Sequence, residues 1–229
     1  MTLRCELAGT GSGAGRGHVA TALLSVRFAS FYVYSPRAPG WVAEDSRKLC
    51  ARVKVSDPLW LPHLVGRVYR SSLEDRELAG LFAPGATLVP VPGSVRTPQR
   101  PWPALQLALA LSQVGFALPV WTALQRRYTV IKSATAAAAA RPSVQQHYDS
   151  FAATLPVLPV CRIVLVDDVI TKGRTLLAAA ARLRSLSARV DVRAFALIRT
   201  AGFADHIERT AEPCHGLIRW AGGDARREP

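Results

Sequence analysis

Clustered cysteines, lysines and long apolar runs are all scarce in this 229-residue chain, and each shortage excludes something. Cys5, Cys50, Cys161 and Cys214 are scattered, with none within forty residues of another and no CxxC pair. A zinc ribbon is therefore not supported. The four read as reduced, mostly buried thiols of a cytoplasmic protein. Cys214-His215 would give two metal ligands, and nothing completes the set. No stretch reaches the roughly 18 uncharged apolar residues of a membrane span. The apolar segment Val19 to Phe31 is interrupted by Arg27 and lacks the basic start and cleavage site of a secretory signal. No GxxxxGK[ST] loop is present, which argues against a P-loop nucleotide hydrolase. The expectation is a cytoplasmic protein with no membrane partner.

What is present is enough apolar material for one core, since 49% of the residues are hydrophobic. The net charge is +13, and arginine carries nearly all of it, because the only lysines are Lys48, Lys54, Lys132 and Lys172. Such a balance suits anionic partners: phosphorylated small molecules, nucleic acid or an acidic protein. The arginines are spread along the chain without a long basic run, so charge alone does not choose among these.

Residues 1–20 read as a flexible terminus. Gly9 to Gly17 is low in side-chain bulk and contains a loose GxGxxA match. It follows a poor strand, and the next acids are Glu44 and Asp45, so it is not read as a dinucleotide fingerprint. Residues 41–86 are mixed, with turn signals at Asp57-Pro58, Leu61-Pro62 and Pro84-Gly85. Leu73 to Phe82 has helical apolar spacing. Beyond residue 86 the pattern becomes regular. Thr87 to Val91 reads as a strand, Ala104 to Val114 as a helix ending at Gly115, and Leu118 to Thr122 as a second strand. A long polar and alanine-rich stretch then runs from Gln125 to Asp149. Arg162 to Val166 reads as a buried parallel strand, Leu176 to Leu186 as a helix and Val190 to Ile198 as a fourth strand. This order argues for an α/β fold with a parallel sheet.

One segment carries a chemical signal. Four apolar residues, Ile163 to Val166, end abruptly in Asp167 and Asp168; Thr171-Lys172-Gly173-Arg174-Thr175 follow, and then a helix. In open α/β sheets ligands sit at the carboxyl ends of the strands. A helix N-terminus there presents free N–H groups and a favourable dipole to a phosphate. Gly173 allows a close backbone approach. Thr171 and Thr175 have hydroxyls to donate, and Lys172 and Arg174 add positive charge. The two carboxylates repel phosphate but suit hydroxyl groups or a bridging cation. A ligand with a phosphate at one end and a diol beside it, such as a ribose 5-phosphate, satisfies both halves.

This segment resembles the signature of type I phosphoribosyltransferases, in which an apolar strand precedes two acids and a TxGxT-like loop. The resemblance implies that Asp167 and Asp168 contact the ribose hydroxyls of phosphoribosyl pyrophosphate (PRPP), and that Thr171 to Thr175 wrap its 5-phosphate. Lys172 stands where a small hydroxyl residue is common. Upstream, Leu88 to Pro92 with the loop after it is similar to the ComF/GntX branch, the predicted amidophosphoribosyltransferase-like proteins. That likeness implies that Gly93, Ser94 and Arg96 lie beside the pyrophosphate. It covers roughly residues 85–200. The chain departs from the branch in lacking its cysteine-rich zinc element and in a proline-rich loop after Pro92.

On this likeness residues 21–229 form a single domain, with a core at about 85–200 and a small hood from residues 25–70 and 200–222. Arg126, Arg127 and Lys132 would belong to a flexible loop able to reach the pyrophosphate. An Ala-rich helix at Ala134 to Ala140 is the competing reading of that stretch. Trp41, Trp60, Tyr69 and Trp220 are candidates to stack on the acceptor. The implied reaction is displacement of pyrophosphate from carbon 1 by a nitrogen nucleophile. Magnesium would enter with PRPP rather than through protein ligands of its own. A second reading is a non-catalytic PRPP- or nucleotide-sensing or ComF-like protein that assists nucleic-acid handling. The acceptor is not readable, and a homodimer is compatible with the sequence without being required by it.

Overall fold

A computed structural model describes residues 25–96, 102–131, 141–154, 162–202, 204 and 206–229. The expected flexible terminus, Cys5, Cys161, Lys132 and the alanine run Ala134 to Ala140 lie outside these residues. In chain order the elements are β1 (Ser25–Tyr34), α1 (Trp41–Lys54), α2 (Leu61–Ser72), α3 (Arg76–Leu81), β2 (Ala86–Pro90), α4 (Pro103–Leu111), β3 (Leu124–Arg126), α5 (Val144–Ser150), β4 (Phe151–Ala153), β5 (Arg162–Ile170), α6 (Arg174–Arg184), β6 (Asp191–Thr200), β7 (Ala211–Ala221) and β8 (Asp224–Glu228).

Six strands make one sheet in the order β2-β5-β6-β1-β7-β8, and β3 and β4 make a separate antiparallel pair. The first four run parallel to one another, while β7 and β8 are antiparallel additions. The molecule is thus mixed α/β with a mostly parallel sheet.

The parallel strands are apolar throughout because both faces are covered. On β5, Ile163 and Leu165 enter one core with α6 and Phe151, while Val164 and Val166 enter the other with α2 and α4. The same alternation divides Ala194 from Phe195 on β6 and Phe28 from Ala29 on β1. Phe195 is fully buried and meets the Phe82 ring edge-on, with centroids 5.1 Å apart.

Several expectations are corrected. Residues 25–34 and 211–221 are strands of the main sheet, so the sheet extends well beyond the expected core of about 85–200. The expected hood segments 25–70 and 200–222 include those strands. Among the described residues, α1 and α2 are the helices in those segments. The helix expected over Leu73 to Phe82 is shorter because Asp75 caps it, accepting from the Glu77 and Leu78 N–H groups at 2.9 and 3.0 Å. Leu118 to Thr122 is not a full strand; it makes a single parallel bridge, Val120 to Leu88. After α4 the chain adds one turn of π-helix, Ser112–Phe116, and Gly115 there has φ 139°. A Cβ at Gly115 would lie 2.7 Å from the Tyr69 ring, so this glycine is required by both conformation and space.

Asp75 also ties α3 to β7, because His215 Nε2 lies 2.8 Å from its Oδ2. Burial works to raise the Asp75 pKa, but the Leu78 N–H and His215 outweigh it and hold the carboxyl below its usual range. A carboxyl depressed in the folded state stabilises at neutral pH and loses that contribution as pH falls through the folded value. Asp75→Asn keeps a good cap but removes the charge. It should cost about 1 kcal/mol near neutrality. In urea denaturation across pH, the gap from wild type should begin to narrow as the pH drops below about 4 and close as it falls through the lower folded value.

Candidate functional site

The parallel strands β2, β5, β6 and β1 place their carboxyl ends together at one edge of the sheet. Asp167 and Asp168 sit near the end of β5, where Asp167 is in register with Ala196 of β6. Both are half-buried. The Asp168 backbone N–H donates to Asp167 Oδ1 at 3.0 Å, which turns the Asp167 carboxylate toward its neighbour's backbone. Burial, followed by the neighbouring Asp168 charge, holds the Asp167 carboxyl well above its ordinary value. Two adjoining carboxylates with few partners of their own suit a cation or a diol more than an anion.

The strand does not stop at these acids. It continues to Ile170, and the chain reaches α6 three residues later. Thr171 and Lys172 are exposed, Gly173 is buried, and Arg174 and Thr175 are half-buried. Gly173 occupies the N-cap of α6 with φ 85°, and a Cβ there would come within 2.7 Å of the Ile218 side chain on β7. Glycine is therefore demanded twice, once by the left-handed conformation and once by β7 packing on the loop. Among the described residues no side chain caps the N-terminus of α6, where the first N–H groups of a helix have no intrahelical acceptor.

The loop after β2 lies alongside. Val91 N–H donates to Val166 O at 2.9 Å, which extends the β2–β5 pairing up to the residue before Asp167. Gly93, Ser94 and Arg96 follow at the same edge. Ser94 O accepts from the Val130 N–H at 2.8 Å, and Arg96 N–H donates to Thr129 Oγ1 at 3.2 Å. The structure therefore brings the residues read as pyrophosphate contacts to the same end of the sheet as the two acids.

Arg126 differs from its expected role. It is buried on β3, not carried on a flexible loop, and only 5% of its surface is exposed. Its Nε donates to Gly93 O at 2.9 Å, its Nη1 donates to Ser150 Oγ, and its Nη2 approaches His147 Nδ1 at 3.4 Å. The guanidinium stacks 3.9 Å from the Phe151 ring centroid. Burial lowers its pKa to about 10, and the Asp167 charge works the other way. His147 is pushed down to about 3 by its own burial and by the adjacent Arg126 and Arg174 charges, so it stays neutral. Arg126 thus anchors the β2 loop to α5 and β4 and offsets charge near Asp167. No local sequence signal marks this role, because the partners Gly93, His147 and Ser150 are distant in the chain. Arg127 is exposed, and its backbone N–H donates to Ser150 O at 2.7 Å.

Lys172 and Arg174 are also already engaged. Asp224, the first residue of β8, meets Lys172 Nζ at 3.0 Å through Oδ2, and Arg174 reaches the same carboxylate through Nε and, at 2.7 Å, through Nη2. The hydrogen bond from Arg174 is the largest cause holding the Asp224 carboxyl far below its usual range. Sequence reasoning did not find Asp224, whose only local marker is the Gly222-Gly223 turn before it.

The four aromatic candidates separate. Trp41 and Trp60 are exposed, at 76% and 46%, and the Arg52 guanidinium lies 3.7 Å from the Trp60 ring. Tyr69 packs edge-on against Phe116 and Trp220 packs against the α6-side core, and both are half-buried. A cleft of about 550 Å³ opens beyond the ends of β6 and β1, lined in part by Val33, Thr200, Ile207 and Arg227. Arg227 bridges it to the acidic strand, donating to Ile170 O at 3.3 Å and Thr200 O at 2.8 Å.

Among the described residues no three His, Cys, Asp or Glu side chains gather into a metal site, and no helix is long and apolar enough to cross a membrane. No protein-family model and no curated protein matches the chain.

Arg126→Met keeps the bulk and removes the donors. It removes the donors to Gly93 O and Ser150 Oγ, the latter still bonded to His147 O, and should cost about 1–2 kcal/mol in urea denaturation. Amide hydrogen exchange at residues 93–96 should accelerate in the same variant. Unchanged exchange there would mean that the anchor is not what holds the loop.

Proposed function

We propose that the chain binds PRPP with magnesium in the manner of a type I phosphoribosyltransferase, at the edge formed by β2, β5 and α6. On this reading it transfers phosphoribose to or from a nitrogen acceptor. One observation carries the proposal. Two adjacent carboxylates near the end of an apolar strand are followed, three residues after that strand ends at Ile170, by a buried glycine at a helix N-terminus that no described side chain caps, with the β2 loop beside it.

The chemistry follows from that arrangement. The N–H groups at the start of α6, with the Thr171 and Thr175 hydroxyls, hold the 5-phosphate. Asp167 and Asp168 accept from the ribose hydroxyls. Gly93, Ser94 and Arg96 border the pyrophosphate. The carboxylate oxygens are hard donors of the kind that magnesium takes beside ligand oxygens, and the ion would supply charge neutralisation for the leaving pyrophosphate. In the transfer a carbon–nitrogen bond forms at carbon 1 as the bond to pyrophosphate oxygen breaks, and the proton leaves from the nitrogen. The residues act by position and charge rather than as nucleophiles. Arg126 supports the reading indirectly, because it fixes the β2 loop against the same end of the sheet.

The test is calorimetric titration of PRPP with magnesium into wild type and into an Asp167→Asn/Asp168→Asn variant. The expected outcome is micromolar-range binding by wild type and a loss of about a hundredfold in the variant, as when two charge-assisted contacts go. Equal binding by the two proteins would sink the site assignment. Binding without pyrophosphate release across bases and amines would move the reading to non-catalytic sensing, and salt-sensitive DNA affinity would then be measured next.

A further inference from the structure

We propose that Asp224 is a built-in competitor for the ligand phosphate: it holds Lys172 and Arg174 when the site is empty, and a phosphoryl group binds by displacing it. This rests on the reading of Thr171 to Thr175 as a phosphate loop.

The contact is built, not incidental. The β7–β8 hairpin turns in two residues, Gly222 and Gly223, both at positive φ (55° and 95°), with Ala221 paired to Asp224 across the turn. Such a turn fixes where the next side chain points. The Ala225 N–H donates to Asp224 Oδ1 at 2.7 Å and orients the carboxylate. Ile218 of the same hairpin seats against Gly173, and Ala225 is buried, so the hairpin is docked on the loop itself. Asp224 Oδ2 then meets Lys172 Nζ at 3.0 Å and Arg174 Nη2 at 2.7 Å. Remaining Arg174 donors point to Arg141 O and Pro142 O at 3.5 and 3.4 Å.

One carboxylate thus engages both loop cations. A carboxylate is the nearest thing to a phosphate that a protein can supply, planar with two acceptor oxygens where a phosphate monoester has three and more charge. The occupied position shows that the two cations accept an anion there. It also places a negative charge beside any phosphate held by the α6 N-terminus, and like charges at this range repel. Lys172 is 60% and Asp224 33% exposed at the side chain, so an incoming anion can reach the pair from solvent. The phosphate gains the two cations only as Asp224 leaves them.

The probes are ribose 5-phosphate and inorganic phosphate, titrated into full-length wild type and Asp224→Asn. Asparagine keeps the shape and removes the charge. The variant should bind ribose 5-phosphate at least about tenfold more tightly, the scale of one like-charge repulsion near a protein surface. Equal or weaker binding by a folded variant overturns the proposal and leaves the site reading intact. No binding by either folded protein overturns both. Should the variant not fold, wild type alone decides: the Ala225 amide resonance shifts on adding ribose 5-phosphate if Asp224 is displaced. A Ala225 amide that stays put while ligand binds shows that Asp224 is only a structural ion pair.

Discussion

β5 has β2 on one side and β6 on the other, with α6 packed on one face and α4 on the opposite face. Its middle therefore has no room for a polar side chain, since an unpaired buried polar group costs more than the strand could recover. Ile163 to Val166 obey this without exception. Asp167 and Asp168 interrupt this run where the strand becomes half-buried, although Ile170 beyond them returns to the core. Charge is confined to the two ends of this apolar run, Arg162 before it and the two acids after it, and the residues assigned to ligand chemistry lie at the carboxyl end. The parallel direction of β2 then brings its own loop to the same edge.

Charge near that edge is largely internally balanced. Arg126 spends its donors on Gly93 O, Ser150 and His147, while Lys172 and Arg174 share Asp224, and Arg227 rests on the carbonyls of Ile170 and Thr200. Guanidinium groups are good at this role because their planar donors match several fixed acceptors at once. The arginine-rich composition thus has an architectural use beside any role in binding. A large positive net charge in the sequence overstates how much positive charge is left free at the site.

The sequence made some elements legible and hid others for definite reasons. β2, β5, β6, α4 and α6 could be read because a doubly covered parallel strand is a continuous apolar run and the helices beside it carry leucine on one side. The acids of β5 stood out because they break such a run. β1 was obscured because Ser25, Arg27 and Ser30 interrupt its apolar residues, although Ser30 is buried in the sheet. α2 had helical spacing at Leu61, Leu64, Val65 and Val68, masked by Pro62, which in fact lies in its first turn. α1 buries Ala43, Ser46, Cys50 and Val53, residues too small or polar to announce a helix face. β8 is Asp-Ala-Arg-Arg-Glu, a charged edge strand with little strand propensity. The roles of Arg126 and Asp224 were illegible because each depends on a partner distant in the chain, and no local pattern encodes that.

The position of β1 has a consequence for how the molecule is made. It is the earliest strand described, yet it lies inside the sheet, where Phe28 is in register with Ala194 on one side and Gly216 on the other. Neither neighbour exists until most of the chain has been synthesised. Until then its hydrophobic side chains, among them Val26, Phe31 and Val33, have no strand to pair with. A strand in this situation delays the final closure of the sheet and prolongs the exposure of a sticky edge. The protein should therefore be slow to mature relative to its size and should benefit from chaperones during its synthesis.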